Sequence, residues 1–163
     1  MIIRPTTAAD LDAAEKIYAD ARTFMRAAGN PTQWLVGGPS RATLLEDIER
    51  GGSYVVEEDG EILAVFYFKR EKDPTYTEIH EGRWLDGEEY AVIHRIAVAD
   101  SARGRGVASF VFSECFKMHP NLKIDTHRDN IPMQRALYRS GFVRCGIIYL
   151  ENGEERFAFQ KNS

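Results

Sequence analysis

The sequence has few cysteines: Cys115 and Cys145 are the two present in 163 residues. Cys115 lies on the apolar positions of a predicted helix and Cys145 lies in a predicted strand, which favours buried free thiols over a disulfide or a metal site. The amino terminus lacks the apolar core of a signal peptide, and no apolar run is long enough to cross a bilayer. We therefore expect a cytoplasmic protein with no membrane partner and no metal.

An excess of positive charge is also missing. The chain carries 21 basic and 25 acidic side chains, which gives a net charge of −4. Because no global positive field gathers a polyanion, we expect no nucleic acid partner. The length predicts one domain over residues 1–163 with a substantial hydrophobic core.

Two common phosphate-binding motifs are absent from the sequence. The chain contains no GxxxxGK[ST], so it is not a nucleoside triphosphatase of that type, and no GxGxxG with an acidic residue about twenty positions later, so the dinucleotide fingerprint is missing too. It does contain an apolar strand over residues 93–98, the turn Gly104-Arg105-Gly106, and then a helical apolar pattern. Backbone N–H groups at the start of such a helix bind anions, and glycine lets the phosphate approach closely. A tight turn with no ligand is the plainer alternative.

The whole chain predicts the order β-α-α-β-β-β-α-β-α-β-β. The predicted strands cover residues 1–4, 53–57, 61–69, 89–98, 122–126, 142–150 and 156–160, and the predicted helices follow Thr6 or Thr7, Ser40 or Thr43, Gly106 and Asn130. Residues 33–40 are predicted as a loop and residues 70–88 as an insertion. The helical crossover from strand 93–98 to strand 122–126 makes these two strands parallel. The predicted fold class is α+β, with a mixed, mostly antiparallel central sheet, one parallel β-α-β unit and helices on both faces.

The hexapeptide Arg103-Gly104-Arg105-Gly106-Val107-Ala108, of the form R-x-x-G-x-A between a strand and a helix, resembles the acetyl-CoA pyrophosphate loop of the GNAT superfamily of N-acetyltransferases. Asn130 at the start of the next helix and Gly141-Phe142 at its end resemble a second marker of the same superfamily. The order of elements resembles that superfamily over the whole chain.

The resemblance implies acetyl-CoA as cosubstrate and assigns residues to it. Main-chain groups of Ile96, Ala97 and Val98 would pair with the pantetheine arm, and a backbone N–H there would hold the oxyanion of the intermediate. The amides of the following segment would bind the pyrophosphate; its residues are Arg103, Gly104, Arg105, Gly106, Val107, Ala108 and Ser109. Asn130 would contact pantetheine, although Asn is also a preferred helix cap. Arg105 is equally consistent with a solvated surface charge.

The implied reaction is direct transfer of an acetyl group to a primary amine of a small molecule or peptide. The candidates for the base are His94, Asp125 and His127, with Asp125 and His127 expected on one face of their strand. Each is also consistent with a buried structural hydrogen bond. Tyr138 is the candidate acid for the leaving thiolate, but it stands one position after the slot of the family's tyrosine, which Leu137 occupies here.

Aromatic residues in two loops are candidates for the acceptor pocket. They are Trp34, in the loop at residues 33–35, and Tyr76 and Trp84, in the insertion. The alternative is that both tryptophans anchor their loops in the core. An alternative function is a non-catalytic acyl-CoA-binding sensor or structural module. The resemblance also suggests a homodimer, by analogy alone.

Overall fold

The computed structural model describes residues 1–35 and 37–163; Val36, inside the predicted loop, lies outside the described residues. The strands are β1 (Ile2–Pro5), β2 (Ser53–Glu58), β3 (Glu61–Arg70), β4 (Ala91–Val98), β5 (Asn121–Thr126), β6 (Val143–Tyr149) and β7 (Glu155–Asn162). The helices are α1 (Leu11–Ala27), α2 (Arg41–Glu49), α3 (Val107–Met118) and α4 (Ile131–Arg139). The predicted order of elements agrees with this arrangement.

The seven strands form one sheet in the order β1-β2-β3-β4-β5-β7-β6. Strands β4 and β5 are parallel, joined by the α3 crossover, and the other neighbouring pairs are antiparallel. The predicted fold class is therefore confirmed.

Helices cover both faces of the sheet because its strands are apolar on both sides. On one face α3 and α4 pack on residues such as Ile93, Leu122 and Phe159. On the other face α1 and α2 pack on Val55, Val65 and Ala97. None of the helices in the described part of the chain combines the length and apolar character that a membrane span requires.

The predicted insertion is attached to the second face, beside α1 and α2. It forms a 3₁₀ turn at Pro74–Tyr76 and an antiparallel bridge between His80 and Ile147 of the edge strand β6. Trp84 donates from its indole nitrogen to the carbonyl of Tyr76, 2.9 Å away, and packs on the ring of Tyr76 at a centroid distance of 5.3 Å. These contacts hold the insertion over β4 and β5, where it forms one wall of the site.

Helix α1 ends in a hydrogen-bonded motif that fixes the loop after it. Gly29 has a φ of +87°, in the left-handed region that favours glycine. Its N–H donates to Arg26 and that of Asn30 to Met25, at 3.2 and 2.8 Å. This Schellman pattern places Asn30 firmly against the end of the helix.

Candidate active site

The site begins where β4 and β5 separate. Their ladder contains only the pairs Ala91–Leu122 and Val92–Lys123. Beyond them a bulge in β4 places Arg95 at a φ of +50°. An unpaired stretch between parallel strands leaves main-chain N–H and C=O groups exposed to whatever occupies the gap.

The bulge is held by contacts on the α1 and α2 side. The Arg95 guanidinium binds the buried carboxylate of Asp47 through two hydrogen bonds of 2.9 and 2.8 Å. The Tyr18 hydroxyl donates to the Arg95 carbonyl at 3.0 Å. A left-handed conformation is costly for a residue with a side chain, so these contacts are what maintain it.

The bulge also sets the direction of the amides that follow. Ala99 donates its N–H to Leu63 of β3 at 2.8 Å. Because successive amides of a strand point to opposite sides, the N–H of Val98, and that of Ile96 before it, point away from β3 and into the gap. Together with Ala97, these predicted residues line a cavity of about 460 Å³.

This cavity, which we call the loop cavity, continues to the start of α3. Gly104 and Gly106 both have a φ of +77°, and Gly106 is the residue before the first turn of the helix. No hydrogen-bond partner among residues 1–35 and 37–163 engages the backbone N–H groups of Gly104, Gly106, Val107, Ala108 and Ser109. Converging free amides at the positive end of a helix dipole form an anion site.

The arginine side chains of this loop are engaged by other groups. Arg103 binds Asp100 and lies over the ring of Phe24, 3.8 Å from its centroid. Arg105 forms an ion pair with Glu58 and does not line the loop cavity. The main chain therefore supplies most of the donors that face an anion here.

A second cavity of about 450 Å³ lies on the other side of the gap, below the insertion. We call it the histidine cavity because His94 lines it, with Trp34 and Asp125 among the other predicted residues. Four residues line both cavities: Met25, Ile96, Asn130 and Met133. A ligand can therefore reach from the start of α3, through the gap, to His94.

His94 is held between two carboxylates. Its Nε2 lies 2.8 Å from Asp73 Oδ2, and its Nδ1 lies 4.0 Å from Asp125 Oδ2. Burial opposes ionisation of Asp73, but hydrogen bonds from His94 and Thr75 outweigh it and lower its pKa to about 2. Asp73 is therefore ionised at neutral pH and can only accept, so Nε2 carries the proton and the neutral ring has its lone pair on Nδ1.

Tyr76 contacts both Asp125 and His94. Its hydroxyl donates to Asp125 Oδ2 at 2.6 Å, and its ring packs against His94 at a centroid distance of 5.9 Å. Burial, and then the neighbouring Asp125 charge, raises the pKa of Tyr76 well above its usual value. Tyr76 and Trp84 line neither cavity, whereas Trp34 lines the histidine cavity. Trp84 anchors the insertion, the alternative named for it above.

Two predicted catalytic residues, His127 and Tyr138, line neither cavity. Strand β5 ends at Thr126, so His127 does not share a strand face with Asp125; this expectation was wrong. Instead the His127 Nε2 lies 3.0 Å from the Thr32 hydroxyl, and burial, followed by the Arg156 charge, lowers its pKa. Tyr138 is 53% exposed and packs edge-on against Phe159. Helix α4 presents Met133, Ala136 and Arg139 to the loop cavity instead.

Asn130 caps α4, the second of its two expected roles. Its Oδ1 accepts from the N–H of Met133 at 3.2 Å, and its Nδ2 donates to Gln33 Oε1 at 3.0 Å. A contact with a pantetheine arm remains a prediction.

Sequence reasoning missed Asp73, Asn30 and Arg156, which line the cavities, and it included Gln33 only as part of the loop at residues 33–35. Asp73 had a local signal, because Asp before Pro-Thr is typical of a turn that its side chain caps, and Asp73 Oδ1 accepts from Thr75 N–H at 2.8 Å. Its contact with His94, 21 positions along the chain, had no local signal in the sequence.

A split parallel pair beside a free helix N-terminus, with cavities on both sides of the split, is the arrangement that the resemblance seen in the sequence implies for an acyl-CoA-binding fold. The model of the acetyltransferase (GNAT) family matches residues 13–142. The chain therefore belongs to the GNAT family, and the resemblance inferred from the sequence is confirmed.

Solved structures agree with this assignment. A GNAT-family acetyltransferase from Streptococcus agalactiae shares 31% identity, covers 99% of this chain and 95% of its own, and superposes with a TM-score of 0.91. A ribosomal-protein-alanine N-acetyltransferase from Brucella melitensis shares 22% identity over 100% of both chains, with a TM-score of 0.65. The GNAT-like decarboxylase GphF, solved with isobutyryl-CoA, shares 17% identity over 99% of both chains, with a TM-score of 0.69. At such identities the last two show the fold alone. No curated protein sequence matches the chain.

Proposed function

We propose that this protein transfers the acetyl group of acetyl-CoA directly to a primary amine of a small molecule or peptide. The observation that carries the proposal is the placement of His94: it lines a cavity that meets the loop cavity at the split between β4 and β5. Acetyl-CoA supplies the activated acyl group, and the chain binds, orients and deprotonates.

The free amides of Gly104 and of residues 106–109 fit a diphosphate, because they are donors without acceptors among residues 1–35 and 37–163. The N–H groups of Ile96 and Val98 fit a chain of amides laid along the gap as an added strand. One of them can also donate to the thioester carbonyl and stabilise the negative charge that develops there.

His94 is the proposed general base. An alkylamine is mostly protonated at neutral pH, so attack on a thioester requires removal of a proton. The Nδ1 lone pair accepts that proton, directly or through a water, while Asp73 fixes the ring and stabilises the resulting imidazolium. Asp125 Oδ2 lies 4.0 Å from Nδ1. No side chain is needed as the acid for the thiolate, since a thiol leaves well and water can protonate it.

The charges lining the histidine cavity favour particular amines. Glu71, Asp73 and Asp125 contribute negative charge, and Arg50, Lys72, Arg95 and Arg156 contribute positive charge, with Arg50 paired to Glu71. A polyamine would meet repulsion from the basic groups, whereas an amine with a carboxylate nearby, as in an amino acid or short peptide, matches both signs. We therefore place amino acids and peptide amines first in the acceptor panel.

The test is thiol release from acetyl-CoA in the presence of amino acids, dipeptides, simple alkylamines and polyamines. We expect release with at least one acceptor, and loss of about 100-fold or more in turnover in His94→Gln with coenzyme A affinity retained. Absence of release with every amine, together with tight binding of acetyl-CoA, would instead support a non-catalytic acyl-CoA sensor. The position of Tyr138 outside both cavities is the feature that favours that second candidate.

A further inference from the structure

Three side-chain amides meet where the two cavities join. Asn30 lines the loop cavity, Gln33 lines the histidine cavity and Asn130 lines both. Gln33 Oε1 accepts from Asn30 Nδ2 at 2.9 Å and from Asn130 Nδ2 at 3.0 Å. We call these residues the amide cluster. Its members come from the loop after α1 and from the start of α4.

The hydrogen bonds fix which end of each amide is oxygen. The Met133 N–H can only donate, so the Asn130 atom facing it is Oδ1, and the other atom, Nδ2, is the donor to Gln33. The Gln33 atom that receives this bond must be Oε1. A second donor at Oε1 must then be the Asn30 Nδ2, because a flipped Asn30 would place two oxygens in contact.

This chain of constraints leaves Asn30 Oδ1 as an acceptor. Asn30 is 1% exposed, and its Oδ1 is buried with no hydrogen-bond partner among residues 1–35 and 37–163. The Schellman motif at the end of α1 holds the residue in place. A buried acceptor without a donor is unfavourable, and the deficit is removed when a ligand presents an N–H to it.

We propose that Asn30 Oδ1 accepts a hydrogen bond from an amide N–H of the pantetheine arm of coenzyme A. This inference rests on the proposed function, since it assumes that coenzyme A occupies the loop cavity. The ligand's amides are secondary amides, so they carry the donor that the orphan acceptor lacks. Asn30 is thus a positioning residue. It would contact the arm from the α1 side, and the main chain of β4 would contact the arm from the opposite side.

The same contact ties the cosubstrate to the acceptor site. An arm that binds Asn30 also stabilises the Asn30–Gln33 hydrogen bond, and Gln33 is part of the wall of the histidine cavity. Coenzyme A would therefore reinforce a hydrogen bond that this loop already makes. Trp34 is the next residue of that wall.

The test compares two ligands by calorimetry: coenzyme A, and adenosine 3′-phosphate 5′-diphosphate, which keeps the diphosphate and lacks the pantetheine arm. In Asn30→Leu we expect coenzyme A to bind about five- to tenfold more weakly and the nucleotide to bind within about twofold of wild type. Asn121→Leu is the matched control, because Asn121 is a buried amide on β5 that lines neither cavity. It should change neither affinity.

Unchanged affinity of Asn30→Leu for coenzyme A, or an equal loss for both ligands, would overturn the inference and leave the proposed function standing. If wild type binds neither ligand, the proposed function itself is wrong. If the Asn30→Leu variant does not fold, the inference can still be tested on wild type by nuclear magnetic resonance. The side-chain amide resonances of Asn30 should shift on addition of coenzyme A and stay in place on addition of the nucleotide; no difference between the two would also overturn the inference.

Discussion

His94 shows how a neighbouring charge determines which nitrogen of an imidazole is available. Asp73 binds Nε2 at 2.8 Å and stays ionised, so the proton resides on Nε2 and the lone pair on Nδ1. The arrangement requires the carboxylate itself, since an amide at position 73 carries no charge and can present either an oxygen or an N–H to the ring.

The first prediction concerns Asp73→Asn. We expect turnover to fall by about 100-fold, because the ring loses both its fixed tautomer and the charge that stabilises imidazolium. The Kd for coenzyme A should stay unchanged, since Asp73 does not line the loop cavity. Asp12→Asn, at an exposed carboxylate paired with Arg41, is the control. A variant with wild-type turnover would show that Asp73 has only a structural role.

Asp10 is a buried carboxylate that joins β1 to the start of α1. It accepts from both terminal nitrogens of Arg4 at 2.7 and 2.9 Å and from the N–H of Thr7 at 2.8 Å. The Arg4 hydrogen bonds are the main cause that lowers its pKa to about 2, against the opposing effect of burial, with the Thr7 bonds helping.

The second prediction follows from that shift. Because the folded-state pKa lies below the ordinary value, the stabilisation is present at pH values above about 4 and is lost as the pH falls toward 2. We expect Asp10→Asn to lower the free energy of unfolding by roughly 2 kcal/mol at pH 7. Denaturant titrations from pH 7 to pH 2 should show the two proteins converging at the acid end. A difference that does not shrink on acidification would contradict the assignment.

At the scale of elements, the start of α3 differs from an ordinary helix start because it has no capping side chain. Gly106 precedes the helix without a capping side chain, in the left-handed conformation, and the N–H groups of residues 107–109 have no partner in the part of the chain that the structure describes. An ordinary cap such as Ser or Asp would use one of these amides. The loop therefore leaves its donors for a ligand at some cost in helix stability.

The third prediction distinguishes the loss of stability caused by backbone strain from the loss of coenzyme A binding caused by a side chain at Gly106. A Cβ at Gly106 or at Gly153 meets no atom within 4 Å, and the two residues have φ values of +77° and +85°. Alanine at either position should cost about 1–2 kcal/mol of stability, because both backbones are left-handed. Only Gly106→Ala should weaken coenzyme A binding, since Gly153 lies in the β6–β7 hairpin. Equal coenzyme A affinity in the two variants would mean that the loop does not bind the diphosphate.

At the scale of the molecule, the gap in the sheet is a region where folding leaves hydrogen-bonding groups without partners among the described residues. The unpaired ends of β4 and β5 and the free amides at the start of α3 border the loop cavity, and Asn30, with its orphan oxygen, is among the residues that line it. A ligand that supplies the missing partners binds the folded state and not the unfolded one.

The fourth prediction is a large stabilisation by coenzyme A. At a concentration of 100 times the Kd, linkage gives about 2.7 kcal/mol, which corresponds to a rise in Tm of about 5–10 °C for a chain of this size. Differential scanning calorimetry would measure it, with Gly106→Ala as a comparison that should shift less at the same concentration. An unchanged Tm for wild type would argue against the loop cavity as the coenzyme A site.

The order of elements and the fold class were predictable because they follow from local patterns. Apolar periodicity marks the strands and helices, Asp59-Gly60 and Asn152-Gly153 mark the hairpins, and the glycines of the 103–108 loop mark the start of α3. The error at His127 has a local cause as well: the alternation of strand faces was extended one residue beyond β5, which ends at Thr126 as predicted.

The contacts that assemble the histidine cavity could not be predicted, because they join residues far apart in the chain. Asp73 meets His94, Tyr76 meets Asp125, and Gln33 meets Asn130, each through a side-chain hydrogen bond between separate elements. The helix position of Tyr138 was visible in the sequence, but the direction in which α4 turns it depends on how that helix packs against α3 and β7.

The sequence by itself determined the elements, their order and the loop that leaves its amides free, because each of these depends on residues close together along the chain. The tertiary structure alone decided which side chains face the gap between β4 and β5. Packing brings Asp73 to His94 and leaves the Asn30 oxygen buried without a partner among residues 1–35 and 37–163, because these contacts join residues that are distant in the sequence and no local pattern encodes them.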